Sequence, residues 1–265
     1  MNFLWVALGA TALFYAAFTL LVYLLQRRMQ YFPERSPVPV PPGERYRGLE
    51  EVELVAADGV RLFAWHWPGP RAPTVVLFHG NAGHRGTRLP WMGEFHDLGF
   101  GVFCLDYRGY GGSRGSPSER GLYLDADAAI DWLEERAVGG LVYLGQSIGC
   151  GVAVEMAVRK PPVALILQSG FVSLVDVARK AYPYLPVRLL MKDRFDCREK
   201  IDRIGCPLLM VHGEKDSIIP ASLGKALFDV APEPKEWLLV PAADHNDPIW
   251  IDPTYMKKLE AFLSR

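Results

Sequence analysis

Leu141-Val142-Tyr143-Leu144 is an unbroken apolar run that leads into Gly145-Gln146-Ser147-Ile148-Gly149, and a small-residue stretch with Val152, Ala153, Val154 and Ala157 follows. Such a passage leaves the chain few ways to fold. The apolar run reads as a buried strand and the small residues as a closely packed helix, so the glycines have to turn sharply between them. A side chain two residues before or after the serine would collide with the packed strand and helix. The turn lifts Ser147 Oγ above the sheet edge and points the first helical N–H groups at whatever the hydroxyl attacks. The Gly-x-Ser-x-Gly pattern alone arises by chance, but between a strand and a helix it marks a nucleophile.

The surrounding rhythm fits. Short apolar runs at Thr74–Phe78, Gly101–Leu105, Leu141–Leu144, Val163–Leu167, Pro207–Val211 and Trp237–Val240 alternate with helical stretches. The helical stretches are Arg88–Leu98, Ser118–Arg136, Ile148–Arg159, Ser222–Val230 and Thr254–Leu263. Continuous apolar strands separated by helices predict a parallel sheet covered on both faces. Ahead of them, Glu51–Val55 and Val60–Trp65 flank Asp58-Gly59 and predict an antiparallel hairpin. The expected fold class is α/β: a mostly parallel sheet of about eight strands, with helices on both sides. The 265 residues suffice for one such domain and need not be divided.

Phe3 to Leu25 carries no charge. At ~1.5 Å per residue it is long enough to cross a hydrocarbon core of ~30 Å. The apolar run exceeds the usual core of a secretory leader, and no Ala-x-Ala site follows, so residues 1–26 read as a membrane anchor. Arg27 and Arg28 follow it directly and favour a cytoplasmic location for the rest. Pro33, Pro37, Pro39, Pro41 and Pro42 make residues 27–47 a semi-rigid tether, and the globular domain is expected over 48–265.

One segment breaks the rhythm. Phe171 to Gly205 is too long for an ordinary connection and is rich in aromatic and aliphatic side chains. It reads as a small helical cap over the site, at about residues 171–205. Its Tyr182, Tyr184, Leu185, Leu189 and Met191, together with Trp250, are the candidate lining of a substrate pocket.

A serine hydroxyl needs a base, and the base needs an orienting acid. Two histidines follow Ser147. His212 ends an apolar strand run and is better suited to fixing backbone. His245 sits in the turn-forming loop Pro241-Ala242-Ala243-Asp244-His245-Asn246, which can carry an imidazole over the sheet edge. For the acid, Asp216 lies in the loop after the strand ending at His212, where such sheets place functional groups. Glu214 and Asp244 are its rivals, although Asp244 adjoins the base and would reach it poorly. The oxyanion of an acyl intermediate needs preorganised donors. The N–H of Ile148 is one, and the N–H of Asn81 in Phe78-His79-Gly80-Asn81-Ala82-Gly83 is the other candidate.

Other classes are excluded by what the chain carries. A net charge of −1 with scattered basic residues argues against a nucleic-acid partner. Asp106-Tyr107-Arg108-Gly109-Tyr110-Gly111-Gly112-Ser113 lacks dinucleotide spacing and predicts a structural loop with buried polar contacts. The cysteines at 104, 150, 197 and 206 show no metal spacing, and whether Cys197 and Cys206 are bridged is open.

Taken in order, the blocks His79–Gly83, Asp106–Gly111, Ser116–Tyr123, Gly145–Gly149 and His245-Asn246-Asp247 resemble the α/β-hydrolase-domain serine hydrolases, in the bud-emergence-type branch related to depalmitoylase-like enzymes. The resemblance spans essentially the whole chain. It implies a Ser147, Asp216, His245 triad, activity on carboxylic esters or thioesters that are often lipid-like, and no cofactor. The N-terminus departs from the depalmitoylase-like members, which carry a cysteine cluster for lipid attachment where this chain has an apolar helix. The leading expectation is a membrane-anchored esterase or lipase acting on monoacylglycerol- or lysophospholipid-like substrates. An acyl-protein thioesterase or peptidase on the same triad is the alternative enzyme, and a catalytically silent membrane scaffold the alternative of another class. The cap is expected to open toward the bilayer, so removing Phe3–Leu25 should harm activity on vesicles more than on soluble short esters.

Overall fold

The computed structural model describes residues 2–136, 139–247 and 252–264. Its centre is an eight-stranded sheet. In chain order its strands are β2 (Glu50–Val55), β3 (Arg61–Trp67), β4 (Arg71–Phe78), β6 (Phe100–Asp106), β7 (Leu141–Gln146), β8 (Ala164–Gln168), β9 (Leu208–Gly213) and β10 (Lys235–Val240). Across the sheet they run β10-β9-β8-β7-β4-β6-β3-β2. The ladders from β6 to β10 are parallel, whereas β2 and β3 pair as an antiparallel hairpin and β3 runs antiparallel to β6. Two short strands, β1 (Phe32–Pro33) and β5 (Ala82–Gly83), form a separate parallel pair.

The apolar strands are continuous because both faces are covered. Val76, Phe78, Tyr143, Leu165 and Met210 pack on one side against α3 (Glu119–Glu134), α4 (Ile148–Arg159) and α7 (Ala221–Val230). Their neighbours Val75, Leu77, Val142, Leu144 and Ile166 pack on the other against α2 (Leu89–Asp97) and the last helix, α8 (Tyr255–Leu263). Each such side chain contributes roughly 1.5–3 kcal/mol on burial. The sheet therefore carries the stability, and the loops at its strand ends are left to carry polar groups.

The first helix, α1, runs Asn2–Gln30, four residues beyond the boundary expected from charge. From Phe3 to Leu25 it carries no charge, Phe3, Leu4, Trp5, Leu13 and Phe14 are uncovered by protein, and by length and composition it suffices to cross a membrane. The proline-rich segment after it is not a free tether. Tyr31 is buried, Phe32 N–H donates to Asn81 O at 2.8 Å, and Arg85 Nη2 donates to Val38 O at 2.7 Å. Extended proline-rich backbone leaves its carbonyls unpaired internally, so they are free to bond to a neighbouring surface.

Between β8 and β9 lie α5 (Leu174–Ala181), α6 (Val187–Leu190) and a short 3-10 turn at Ile201–Arg203. Ser173 caps α5, its Oγ accepting from Asp176 N–H at 3.1 Å. Val175, Leu185 and Val187 form a small apolar cluster of their own, and α1 supplies Val22 to it.

Candidate active site

Ser147 sits between β7 and α4 with φ 53° and ψ −122°, a left-handed backbone that a serine adopts only under constraint. The flanking glycines supply the constraint. A Cβ on Gly145 would lie 2.6 Å from Gly149 O, and one on Gly149 would lie 1.9 Å from Phe78 O. Both separations are far inside contact, so β7, α4 and the end of β4 meet more closely than any side chain permits. The Ser147 N–H donates to Gln168 O at 2.9 Å, which ties the turn to β8.

His245 is buried, and its Nδ1 lies 2.8 Å from Asp216 Oδ2. Asp216 accepts further bonds at Oδ1 from the N–H groups of Ile218 (3.0 Å) and Ile219 (2.7 Å). Burial pushes its pKa upward, but bonds from His212, His245 and the Ile219 amide outweigh this and hold it well below the usual carboxylate range. It is therefore ionised and draws the His245 proton to Nδ1, leaving Nε2 with a free lone pair. Among the described residues no hydrogen bond joins Ser147 Oγ to the imidazole, but both groups face one cavity.

His212 fixes backbone, as its strand-end position implies. Its Nε2 lies 2.8 Å from Ile219 O and 3.3 Å from Asp216 Oδ2. Two acceptors around one nitrogen require that nitrogen to carry the proton. His212 thus braces both the carboxylate and the loop that holds it, a double role that strand-end position alone does not disclose. Glu214 reaches the Ala242 N–H at 3.3 Å instead of either histidine. Asp244 accepts from Ser217 and from the backbone N–H of His245 (2.7 Å), not from its ring.

Ile148 opens α4, so its N–H has no carbonyl one turn back within the helix. Asn81 faces the same cavity. Its carbonyl accepts from Phe32 N–H (2.8 Å) and Tyr110 OH (2.9 Å), and its side chain donates to Gln30 O at 3.1 Å. Those bonds fix the turn that presents its N–H. His79, buried against Tyr107 and Tyr110, meets Gly80 O at 2.7 Å through Nδ1. Burial, aided by the nearby Arg88 guanidinium, pushes its pKa down to about 3, so it is a neutral wedge under the loop. The Asp106–Gly112 loop is structural: Asp106 pairs with the buried Arg85, and Arg108 with Asp125 and Asp58.

The cavity holds about 410 Å³, within the range of small-ligand pockets. Ser147, Ile148, Asn81 and His245 lie along it with mostly apolar side chains of the cap. Of the predicted lining, Tyr182, Leu185 and Met191 face it. Tyr184 and Leu189 do not: they are 59% and 85% exposed on the outside of the cap. Composition had marked the segment but not which way its two short helices face, and that is set by the surface they pack on. Trp250 lies outside the described residues. Sequence reasoning missed Leu174, Val177, Ala178 and Ala181, whose i, i+3, i+4, i+7 spacing is an apolar helical face, and also Val22, Gln26, Met29 and Gln30 of α1. All four cysteines are buried free thiols, so Cys197 and Cys206 are not bridged.

Comparison with known proteins agrees with this architecture. The family described as serine aminopeptidase, S33, matches residues 69–193. Over 245 residues the chain is 34% identical to protein bem46 of Schizosaccharomyces pombe, covering 85% of this chain and 82% of that one. Over 256 residues it is 32% identical to the lysophosphatidylserine lipase ABHD12 of Danio rerio, covering 81% of this chain and 66% of the relative. Among solved structures, the Pyrococcus furiosus esterase Pf2001 superposes with a TM-score of 0.75 at 21% identity, covering 88% of this chain and 98% of that one.

Proposed function

We propose that this chain, which belongs to the α/β-hydrolase family and is a serine hydrolase of the esterase and lipase type, is anchored in a membrane by α1 and cleaves the acyl ester of single-chain lipids. The observation that carries the proposal is the cavity, which joins Ser147 and His245 to a long apolar wall. An acyl chain matches that wall, and among the described residues no carboxylate lines it to receive a peptide's free amino group. The lipase relative, named for a lysophospholipid, supports the lysophospholipid side of that class, and monoacylglycerols present the same single acyl chain.

The steps follow from the groups present. Ser147 Oγ attacks the ester carbonyl while His245 Nε2 takes its proton, and the ionised Asp216 stabilises the resulting imidazolium. The carbonyl oxygen gains the negative charge and is met by the N–H groups of Ile148 and Asn81. The intermediate collapses, the alcohol leaves with the His245 proton, and an acyl-enzyme remains on Ser147. A water then gives a proton to His245 and attacks the acyl carbon, releasing the fatty acid and restoring the hydroxyl. Arg27 and Arg28 at the end of α1 favour the cytoplasmic side for the domain.

The test is hydrolysis of p-nitrophenyl esters from acetyl to palmitoyl by the full chain in detergent, wild type against Ser147→Ala, with fluorophosphonate labelling alongside. Labelling and turnover that vanish together in Ser147→Ala, with a preference for medium or long chains, are expected. Acetyl preference would point to a small-ester hydrolase. No turnover and no labelling in the wild type would favour a silent scaffold.

A further inference from the structure

Four residues of α1 line the cavity that holds Ser147 and His245: Val22, Gln26, Met29 and Gln30. Their spacing of four, three and one puts them on a single helical face. A bare tether needs no such face. The helix is also bonded to the cap along its length. Tyr15 OH donates to Tyr184 O at 2.8 Å, and Gln26 Nε2 donates to Leu190 O at 3.0 Å. Gln26 Oε1 accepts from Lys192 N–H at 2.8 Å, and Arg27 donates to both Asp193 oxygens at 2.7 and 3.0 Å. At its end, Gln30 O accepts from the Asn81 side chain, so the same helix touches the proposed oxyanion turn.

Depth follows from helix geometry. Tyr15 lies about 22 Å along the axis from Gln30 at ~1.5 Å per residue. A spanning α1 therefore carries the Tyr184 loop well into the leaflet next to the domain. Two outward side chains fit this, Tyr184 (59% exposed) at the Tyr15 level and Leu189 (85% exposed) near the Gln26 level, while the exposed Arg188 beside Leu189 is long enough to reach the headgroups. Packing of Val22 into the cluster of Val175, Leu185 and Val187 closes the wall between helix and cap.

We infer that α1 is a wall of the acyl pocket as well as an anchor, and that the pocket takes the chain of a lipid held in the same leaflet. The inference rests on the ester-hydrolase reading and extends it. Val22 then sets chain length, and Gln26 holds the cap over the serine by engaging backbone at the end of α6. An anchor alone implies a smaller loss on soluble short esters than on vesicles when Phe3–Leu25 is removed. A wall adds a loss on soluble long-chain esters, because the deletion takes Val22 out of the pocket.

The experiment uses the full chain in nanodiscs, comparing Val22→Trp and Val22→Ala with Leu24→Trp, whose position is 63% exposed and off the cavity. The readout is the ratio of kcat/KM for palmitoyl over acetyl p-nitrophenyl ester. Val22→Trp is expected to lower the ratio at least ~10-fold, as a filled pocket loses roughly 1.4 kcal/mol or more of chain binding. Val22→Ala should move the optimum toward longer chains, a gain that misfolding does not produce, and Leu24→Trp should keep the wild-type profile. Unchanged profiles for both Val22 variants, with fluorophosphonate labelling intact, would overturn the wall and leave the hydrolase standing. Absent labelling in the wild type would overturn both. For depth, the buried native thiols permit selective labelling of Leu189→Cys with an environment-sensitive fluorophore. Emission characteristic of an apolar medium is expected, and emission characteristic of water would overturn access from the leaflet.

Discussion

Gly149→Ala tests whether the close approach around Ser147 is what builds the oxyanion site. The added Cβ would stand 1.9 Å from Phe78 O, 2.6 Å from Phe78 C and 2.8 Å from His79 O. Real Cβ atoms keep at least 3.0 Å from such neighbours, so the backbones must part by about 1.1 Å. The two bodies that part are the start of α4, which carries the Ile148 N–H, and the exit of β4, which leads into Asn81. The substitution therefore pulls apart the two donors assigned to the oxyanion. A displacement of ~1 Å costs on the order of 10² in rate, and loss of one donor 10²–10³. Overpacking costs about 1–3 kcal/mol, or roughly 2–12 °C in Tm for a chain of this size. Because that leaves the protein folded at 25 °C, kcat on p-nitrophenyl butyrate and Tm can be read on the same sample. A fall of at least ~100-fold in kcat is expected, against wild-type values for Gly205→Ala, where among the described residues nothing lies within 4 Å of the added atom. A kcat within about threefold of wild type at unchanged Tm would refute the reasoning.

Asp216→Asn should lower kcat by about 10⁴, since the amide no longer secures the Nδ1–H form of His245, whereas Glu214→Gln should stay near wild type. The reverse order in a side-by-side assay would move the acid to Glu214. Arg85→Met strands the fully buried Asp106 carboxylate and should cost about 3–5 kcal/mol, a fall in Tm of roughly 6–20 °C. Adding Asp106→Leu should recover part of the loss, and a further fall would contradict the ion-pair account. The depressed pKa of Asp216 stabilises the fold above its unfolded value of about 3.9, and that contribution is lost as pH drops toward the folded value. Between about pH 5 and pH 2 the Tm of wild type should therefore fall more steeply than that of Asp216→Asn, and parallel curves would argue against the linkage.

The central strands were legible because a parallel strand buried on both faces has to be apolar at every position, and Val75 to Phe78 and Leu141 to Leu144 are. The turn at Ser147 was legible because no other residues fit there: the clash distances at Gly145 and Gly149 are what the motif encodes. The loop positions of Asp216 and His245 followed from where strands end. What could not be read was facing. Tyr184 and Leu189 have the composition of a pocket lining, yet the cap turns them outward because Leu185 and Val187 pack inward with Val175 and Val22. The docking of residues 31–40 was equally hidden, since an extended proline-rich segment has no period from which a buried face could be deduced.

The first helix is the instructive case. A helix apolar on every side presents the same chemistry to lipid and to an acyl pocket, so hydrophobicity alone cannot divide its surface between them. One residue in it does. Gln26 sits within the last turns of α1; its Nε2 can bond to Tyr23 O in the same helix at 2.9 Å, but its Oε1 would go unsatisfied in hydrocarbon, at a cost of several kcal/mol. Here both ends of that amide are bonded to the cap, to Leu190 O and to Lys192 N–H, at the end of α6. A polar side chain at the end of an apolar helix implies a polar surface beside it. For this chain that surface is the backbone of the cap, so the proposed anchor and the cap over Ser147 are coupled through one side chain.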